Sequence, residues 1–362
     1  MQRKKEKTVI FEGSFNPPHL GHVAAAKAIQ EILNPDRLLI VPDNSVHHHK
    51  DDVLYGVPSA QERLELCRTA FAGIGEVSDI EIINDGISYT ADALEKLMLL
   101  YPDSDFIIAV GEEIDPTGWY RYDFIRENAE IYTISRFENE YNSENVRQKL
   151  RTRLGADLLP DDVYSTIIRN RFYDSLPELS WLREKVIDYL DSRRVAHVAG
   201  CESEAVRLAQ RYGEDPDKAA TAAILHDITK SCSYEDQLKL IEKYDIICDK
   251  ARLAAPKILH AWTGAALSRD LFGISDDVYS AIASHTTGKK DMTLLEKIIY
   301  LADYIEPTRD FDGVDELREL AYENIDQCMI RGLEMSISEV NSKGNIPYKD
   351  TLEAYKYYKG EM

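Results

Sequence analysis

The order of apolar and polar positions divides the chain into two parts of different character. In the first part, stretches with helical period alternate with four short runs that are apolar at almost every position, at 8–11, 38–41, 106–110 and 131–134. Such runs are typical of strands buried on both faces of a sheet. The helical stretches between them are 22–33, 60–71 and 90–100. The alternation predicts an α/β domain, with a Rossmann-like parallel sheet covered by helices on both sides.

From about residue 179 onward, almost every segment has a helical period, and the long β-branched runs disappear. One apolar stripe includes a histidine and consists of Ala219, Ala222, Ala223 and His226. A second stripe consists of Leu294, Leu295, Ile298, Leu301, Ala302 and Ile305. These stripes predict an all-α helical bundle. The segment 174–177, Asp-Ser-Leu-Pro, breaks the pattern, so the predicted domains are 1–174 and 175–362.

Composition and charge restrict the function. The 362 residues carry a formal net charge of -21, whereas nucleic-acid binding requires a basic surface, so DNA and long RNA are not expected as partners. Five cysteines without a C-x-x-C pair favour a reducing, cytoplasmic location. We expect no membrane span, because no apolar run approaches roughly 20 residues. We also expect no signal peptide, because the basic start 1–7 is followed only by the short run 8–11 and not by the apolar stretch of a signal peptide. The sequence does not determine the oligomeric state, and a homo-oligomer is one of the alternatives.

A histidine-bearing motif directly follows the first apolar run. Residues 13–22 read Gly-Ser-Phe-Asn-Pro-Pro-His-Leu-Gly-His. Gly13 and Ser14 allow a sharp turn after the strand, and the amino end of the following helix would face the loop as a seat for phosphate. His19 and His22 are three positions apart and share a helical face. For two histidines alone, a capping and solvating role is an equally good interpretation, but the whole run favours phosphate binding.

A second set of candidates lies in the helical part and comprises His197, His226, Asp227, His260, His285 and Asp303. A carboxylate beside the apolar stripe of His226 is costly unless it is paired or bound to metal. Helical bundles build metal sites from side chains of facing helices, and imidazole with carboxylate suits Fe, Mn, Co or Zn. A histidine such as His260, taken alone, is more often a core residue. The ordered set favours a metal centre.

The run at 13–22 resembles the G-x-[ST]-F-[DN]-P-x-H-x-G-H signature of the nucleotidyltransferase superfamily, and more closely that of bacterial nicotinate-nucleotide adenylyltransferases. The likeness covers roughly residues 7–172. Further segments agree in order, namely Val41-Pro42 to His49-Lys50, Ser88-Tyr89-Thr90, Gly111 with Trp119, Ser135-Arg136, and 164–169. The resemblance implies transfer of AMP from ATP to nicotinate mononucleotide, with release of pyrophosphate and with Mg²⁺ accompanying the ATP.

The resemblance also implies roles for individual residues. The residues implied to bind ATP are Gly13, Ser14, Phe15, His19, His22, Lys50, Ser165, Thr166 and Arg169. Three of these, His19, His22 and Arg169, are implied to act in catalysis. The mononucleotide would contact Thr90, Trp119 and Arg136, with Trp119 stacking on the ring.

Three positions depart from the family pattern. Glu12 stands in place of the first glycine of the usual pair, Gly111-Glu112-Glu113 replaces G-x-D, and Tyr164 replaces a serine. These departures leave other acceptors open, namely the amide form of the mononucleotide or phosphopantetheine.

Five segments of the helical part, 194–198, 225–230, 260–265, 285–288 and 300–309, look like HD-domain phosphohydrolases. They are most similar to the symmetrical diadenosine tetraphosphate hydrolases, over roughly 180–340. The resemblance implies one ion on His197, His226, Asp227 and Asp303. Asp227 would bridge to a second ion, which is also held by His260 and His285.

The same resemblance implies iron, or else manganese or cobalt, and the formation of two ADP. Asp227 and Lys230 would act in catalysis, and Lys230, Thr286 and Arg309 would contact phosphate. Together the motifs predict a bifunctional enzyme. The alternatives are an adenylyltransferase with another acceptor, fused either to a different nucleotide phosphohydrolase or to a non-catalytic nucleotide-sensing module.

Overall fold

The computed structural model describes residues 5–44, 56–83, 89–112, 114–135 and 141–361. Lys50 and Arg136, which were predicted to bind nucleotides, lie outside the described residues, as do Ser88 and Glu113. The chain divides into two compact units, Met1–Glu178 and Leu179–Met362. Within the described part of the chain, no helix combines the length and the apolar character needed to cross a membrane.

The first unit ends after Glu178 rather than after the predicted Asp174. The reason is that the intervening segment packs back onto this unit. Tyr173 is buried, and its hydroxyl donates to Oδ1 of Asn16 at 2.7 Å. The backbone N–H of Glu178 in turn donates to the hydroxyl of Tyr164 at 2.9 Å.

The first unit contains a parallel sheet, as predicted. Its strands are β1 (Glu6–Gly13), β2 (Arg37–Pro42), β3 (Glu76–Val77), β4 (Ser104–Gly111) and β5 (Ala129–Ile134). They lie in the order β3-β2-β1-β4-β5, and every neighbouring pair is parallel. Successive residues such as Val9 and Ile10 point to opposite faces and are both buried, so both faces of the sheet are covered. The sequence did not predict β3, whose two residues are too few to form a pattern.

Six helices accompany the sheet in the described residues: α1 (Leu20–Leu33), α2 (Ala60–Ala70), α3 (Thr90–Leu100), α4 (Tyr122–Asn128), α5 (Ser143–Arg151) and α6 (Asp161–Asn170). On one face, Leu94 and Leu97 of α3 join a core with Ile10 of β1 and Ile108 of β4. The chain runs from β1 to β2 on one side, continues outward to β3, and then crosses over to β4 on the other side of β1. The carboxyl ends of β1 and β4 therefore border a crevice, which is the usual ligand site of an open parallel sheet.

The described part of the second unit is all helical, as predicted. Its helices are α7 (Leu179–Ile187), α8 (Ser192–Tyr212), α9 (Pro216–Leu225), α10 (Tyr234–Lys243), α11 (Lys250–Leu253), α12 (Pro256–Phe272), α13 (Asp276–Ser284), α14 (Leu294–Ile305), α15 (Val314–Glu323), α16 (Ile325–Ser342) and α17 (Lys349–Tyr358). Helices α8, α9, α12, α13 and α14 pack against one another. The buried alanines of the α9 stripe, such as Ala219 and Ala222, permit this close approach.

Candidate active sites

A cavity of about 630 Å³ lies at the carboxyl ends of β1, β4 and β5. Seven residues predicted to bind ATP or the mononucleotide line it: Gly13, Ser14, Phe15, His19, His22, Thr90 and Trp119. The cavity therefore brings the histidine motif and the two predicted ring contacts to one place.

His19 and His22 form a reciprocal cap at the start of α1. The backbone N–H of His22 donates to Nδ1 of His19 at 3.3 Å, and the backbone N–H of His19 donates to Nδ1 of His22 at 3.2 Å. The rings stack with centroids 3.6 Å apart. Because each Nδ1 accepts a hydrogen bond, the neutral imidazoles carry their proton on Nε2. The cap thus fixes two N–H donors of the kind that hydrogen-bonds phosphate.

The loop between β1 and α1 is supported by a fully buried cation that the sequence analysis missed. Arg63 of α2 donates from Nη1 to the backbone oxygen of Ser14 at 2.6 Å and from Nη2 to that of Asp43 at 2.8 Å. Its Nη1 also lies 3.4 Å from Oδ1 of Asp43. An arginine on the otherwise apolar face of 60–71 was the available signal. Arg63 thus holds in position the loop between β1 and α1, residues 14–19, which we call the phosphate loop.

Close packing also restricts the first turn of α1, at Gly21. A Cβ atom at this position would lie 2.5 Å from Cβ of Tyr141, so only glycine fits.

Arg147 of α5 lines the cavity and donates from Nη1 to the backbone oxygen of Asn16 at 2.7 Å. The sequence analysis did not single out Arg147, because nothing in its neighbourhood marks it as distinct from a solvated helix cation.

Glu12 lies at the end of β1 and lines the cavity beside Thr90. The Thr90 hydroxyl donates to Oε2 of Glu12 at 2.8 Å. Desolvation and a hydrogen bond with the neighbouring Glu81 carboxyl raise the pKa of Glu12 well above its usual value. The residue that departs from the family pattern is thus part of the site.

Three residues predicted to bind ATP lie apart from this cavity. Ser165, Thr166 and Arg169 are not among its lining residues. The two hydroxyls donate to backbone oxygens four residues earlier on α6, at 2.8 Å in both cases. The apolar face of α6, with Val163 and Ile167, is buried, which turns these polar positions outward.

In the second unit, Asp227 lies at the centre of the predicted ligands. Its Oδ2 lies 3.6 Å from Nε2 of His197 and 3.5 Å from Nε2 of His226. Its Oδ1 lies 3.2 Å from Nε2 of His260 and 3.8 Å from Nε2 of His285. All five side chains are buried. Each oxygen of one carboxylate therefore faces its own pair of imidazoles.

Asp303 of α14 joins the first of these two sets. Its Oδ1 lies 3.2 Å from Nε2 of His197 and 3.9 Å from Nε2 of His226. The thiol of Cys201 is in the same place, with Sγ 3.6 Å from Nε2 of His197. Ligand atoms of these four residues all lie within 4.8 Å of one another, which is a spacing that suits one metal ion.

The hydrogen bonds of the histidine rings show which nitrogen atoms in the cluster could bind a cation. Nδ1 of His226 and Nδ1 of His285 each donate to the backbone oxygen three residues earlier, and Nδ1 of His197 donates to Oε1 of Glu306 at 3.0 Å. Their Nε2 atoms therefore offer lone pairs. Nε2 of His197 lies 3.3 Å from that of His226, and Nε2 of His285 lies 3.1 Å from that of His260. Lone pairs this close repel each other without a cation, so the residues fit a divalent metal.

The protonation states of Asp227, Asp303 and His260 also suit metal binding. Desolvation lowers the pKa of His226, but Asp227 and Asp303 outweigh it and raise that pKa, so a metal bound there would displace a proton from Nε2. Burial opposes ionisation of Asp227 and Asp303, but the surrounding imidazoles, together with Arg309 beside Asp303, hold both pKa values below their usual range. Desolvation lowers the pKa of His260 to about 4. At neutral pH the carboxylates are ionised and His260 is neutral, as metal ligands must be.

A cavity of about 730 Å³ opens beside this cluster and is lined by Lys230, Arg309 and Arg194. Nζ of Lys230 lies 3.1 Å from Nε2 of His260. Arg309 donates to Asp303, and Arg194 donates to Asp227. Together with Arg193, these three cations border the second cavity.

Thr286, predicted to contact phosphate, does not line this second cavity, and its buried hydroxyl has no hydrogen-bond partner among the described residues. Arg194, Cys201 and Glu306 also belong to the site, although they were not among the predicted residues. Helical spacing was the available signal, because they lie three or four positions from His197 or Asp303 and thus share a face with a ligand.

Comparison with known proteins gives a match for each unit. A cytidylyltransferase-like family model matches residues 10–171, and an HD domain model matches residues 194–308. The symmetrical bis(5'-nucleosyl)-tetraphosphatase of Bacillus subtilis is 38% identical over 171 residues, which cover 46% of this chain and 90% of the relative. A probable nicotinate-nucleotide adenylyltransferase of Carboxydothermus hydrogenoformans is 31% identical over 196 residues, which cover 51% of this chain and 94% of the relative.

Relatives from Mycoplasma span both units. The probable nicotinate-nucleotide adenylyltransferase/Ap4A hydrolase of Mycoplasma genitalium is 24% identical over 358 residues, which cover 90% of this chain and 96% of the relative. Fold and sites thus define a two-domain enzyme, with a cytidylyltransferase-like domain joined to an HD domain. The chain belongs to the nicotinate-nucleotide adenylyltransferase family in its first unit and to the symmetrical bis(5'-nucleosyl)-tetraphosphatase family in its second. Both resemblances drawn from the motifs are confirmed.

Proposed function

We propose that this chain is a bifunctional enzyme that makes a dinucleotide in its first unit and destroys one in its second. The first reaction transfers AMP from ATP to nicotinate mononucleotide, giving deamido-NAD and pyrophosphate. The second cleaves diadenosine tetraphosphate symmetrically into two ADP. The name of the Mycoplasma genitalium relative, which joins both activities, supports this pairing.

In the first reaction, a phosphate oxygen of the mononucleotide attacks the α-phosphorus of ATP, and pyrophosphate leaves. No covalent enzyme intermediate is needed, so catalysis consists of positioning and of neutralising charge. The Nε2–H groups of His19 and His22, oriented by their mutual cap, would donate to the ATP phosphates. Backbone amides of Gly13, Ser14 and Phe15 border the same cavity. Mg²⁺ would accompany the ATP, held mainly by its phosphates.

At the other end of the cavity, Trp119 would stack on the pyridine ring of the mononucleotide, beside Thr90. Ser165, Thr166 and Arg169 are assigned to the triphosphate on the motif likeness. Lys50 and Arg136 are assigned to the ATP and to the mononucleotide on the same basis.

In the second unit, His197, His226, Asp227 and Asp303 would hold one divalent ion, and Asp227, His260 and His285 would hold another. Bound ions of this kind supply a water of lowered pKa and neutralise the phosphate under attack. Four imidazoles favour iron, manganese or cobalt over magnesium, which prefers oxygen ligands. We propose iron as the native metal.

The cations at the mouth of the second cavity would hold the polyphosphate chain. Lys230 and Arg309, with Arg194, are placed to neutralise phosphate oxygens next to the ligand cluster. Thr286 is assigned to phosphate on the motif likeness. The observation that carries the hydrolase proposal is the placement of Asp227, whose two oxygens face two separate imidazole pairs.

The test offers each substrate to the purified chain. With ATP, Mg²⁺ and nicotinate mononucleotide, pyrophosphate and deamido-NAD should form in equal amounts. With diadenosine tetraphosphate and Fe²⁺, Mn²⁺ or Co²⁺, ADP should be the sole nucleotide product. Formation of ATP and AMP would contradict symmetrical cleavage, and turnover of guanosine polyphosphates instead would assign the second unit to another phosphohydrolase.

A further inference from the structure

Glu12 occupies an unusual position for a carboxylate. It stands at the end of β1, where the chain enters the phosphate loop, and it lines the first cavity together with Thr90 and Trp119. Its Oε2 accepts the Thr90 hydroxyl at 2.8 Å. A second carboxyl, that of the buried Glu81, adjoins it and raises its pKa. Two acids therefore adjoin the proposed ring-binding end of the cavity.

The charged groups around Glu12 are mostly negative. Besides Glu81, the carboxylate of Asp43 acts on it from the end of β2, and Asp43 is itself paired with Arg63. Among the described residues that line the cavity, the one side chain with a fixed positive charge is Arg147. That guanidinium belongs to α5 and donates to the loop at Asn16 rather than to the acids.

The amino end of α3 favours an anion, in contrast to the carboxylates around Glu12. Tyr89, the N-cap residue, makes no side-chain hydrogen bond to the first turn, and Thr90 is the first helical residue. Amides at such a helix end attract an anion, including the carboxylate of a nicotinate ring. Glu12 lies within hydrogen-bond distance of this same turn and would repel that carboxylate whenever the two acids are ionised. A nicotinamide ring is neutral and escapes this repulsion.

We propose that Glu12 sets the choice of acceptor at the first site, weakening the preference for nicotinate mononucleotide over nicotinamide mononucleotide. This inference rests on the proposed adenylyl transfer and concerns only the ring substituent. Desolvation and Glu81 raise the pKa of Glu12, so the repulsion is weak at low pH and grows as the pH rises through that value. The preference for nicotinate therefore falls with rising pH.

The test compares kcat/KM for the two mononucleotides at saturating ATP. Both acceptors carry the same phosphate, so its ionisation cancels in the ratio. Glu12→Gln should raise the nicotinate-to-nicotinamide ratio about tenfold at the alkaline end of the pH series, because one carboxylate opposite another costs on the order of 1 kcal/mol or more in such surroundings. The wild-type ratio should fall as the pH rises above the usual titration range of a glutamate, and the ratio of Glu12→Gln should stay flat.

Glu144→Gln is the matched control, because Glu144 is an exposed carboxylate of α5 in the same cavity. Its ratio should stay within about twofold of wild type. An unchanged ratio in Glu12→Gln, or an equal shift in Glu144→Gln, overturns the inference while adenylyl transfer stands. The pH series on the unaltered chain tests the inference independently of how Glu12→Gln folds. Failure of the wild type to use either mononucleotide overturns both this inference and the proposed first activity.

Discussion

Glu306 accepts a hydrogen bond from Nδ1 of His197 at 3.0 Å, and the side chain of Glu306 has no exposure to solvent. Its carboxylate also accepts the backbone N–H of Thr308 at 2.6 Å, which fixes its orientation. Gly200 of α8 makes room for it, because a Cβ there would lie 2.5 Å from Oε2 of Glu306. Glu306 therefore aims Nε2 of His197 at the ligand cluster.

The first prediction concerns this contact. Glu306→Gln should weaken metal binding by about 10- to 100-fold, because the partner that orients a ligating histidine and increases its basicity is lost. Competition with a chromogenic chelator measures the affinity. Glu204→Gln is the control. Glu204 is a buried glutamate like Glu306, but it lies on α8 and accepts a hydrogen bond from the Tyr322 hydroxyl at 2.6 Å. Equal affinities in both variants would refute the role of Glu306.

The second prediction concerns the number of ions. Asp303 approaches His197 and His226 but not the other imidazole pair, whereas Asp227 approaches both. Elemental analysis after dialysis should find about two ions per wild-type chain, about one in Asp303→Asn and close to none in Asp227→Asn. Equal losses in the two variants would show that the ligands do not form two sets.

The third prediction concerns pH and the metal-free second unit. The pKa of Asp303 is held below its usual value, so its ionised form contributes stability above the pKa of the unfolded chain, and this contribution is lost as the pH falls through the lower native value. Stability should therefore decline by roughly 1–3 kcal/mol between about pH 5 and pH 2. Urea unfolding in chelator measures it. Asp303→Asn should show a shallower decline, and parallel curves would contradict the assignment.

The fourth prediction concerns the support of the phosphate loop. Arg63→Ala leaves the partly buried backbone oxygens of Ser14 and Asp43 without this donor. We expect a loss of about 3–5 kcal/mol in the stability of the first unit and a fall in adenylyl transfer, with hydrolysis unchanged. Arg68→Ala is the control on the same helix, because Arg68 pairs with the exposed Glu65, and it should cost less than about 1 kcal/mol. Similar losses in both variants would argue against the role of Arg63.

The sequence predicted those parts of the structure that have a repeating pattern or a motif. Strands β1, β2, β4 and β5 show as apolar runs, although the edge strand β5 is only partly buried. The six candidate metal ligands lie in one cluster, with Asp227 at its centre. Contacts between residues distant in sequence leave no such pattern. The bond from Arg63 to Ser14 spans 49 positions and that from His197 to Glu306 spans 109, so neither could be read from local spacing.

The likeness to family motifs identified residue types, but it did not show where those residues lie in the structure. It assigned Ser165 and Thr166 to ATP, yet their hydroxyls bond to the backbone of their own helix, outside the lining of the first cavity. Conversely, Glu12 was visible only as a departure from a pattern, and its contact with Thr90 required the fold.

The central claim is that two independent active sites share one polypeptide. Both reactions should be assayed on full-length His19→Ala and Asp227→Ala, after unfolding curves confirm that each variant is folded; loss of the His19 cap alone should cost about 1 kcal/mol. The account predicts that His19→Ala abolishes adenylyl transfer and keeps tetraphosphate hydrolysis near the wild-type rate, with the reverse in Asp227→Ala. Loss of both activities in either folded variant would contradict it.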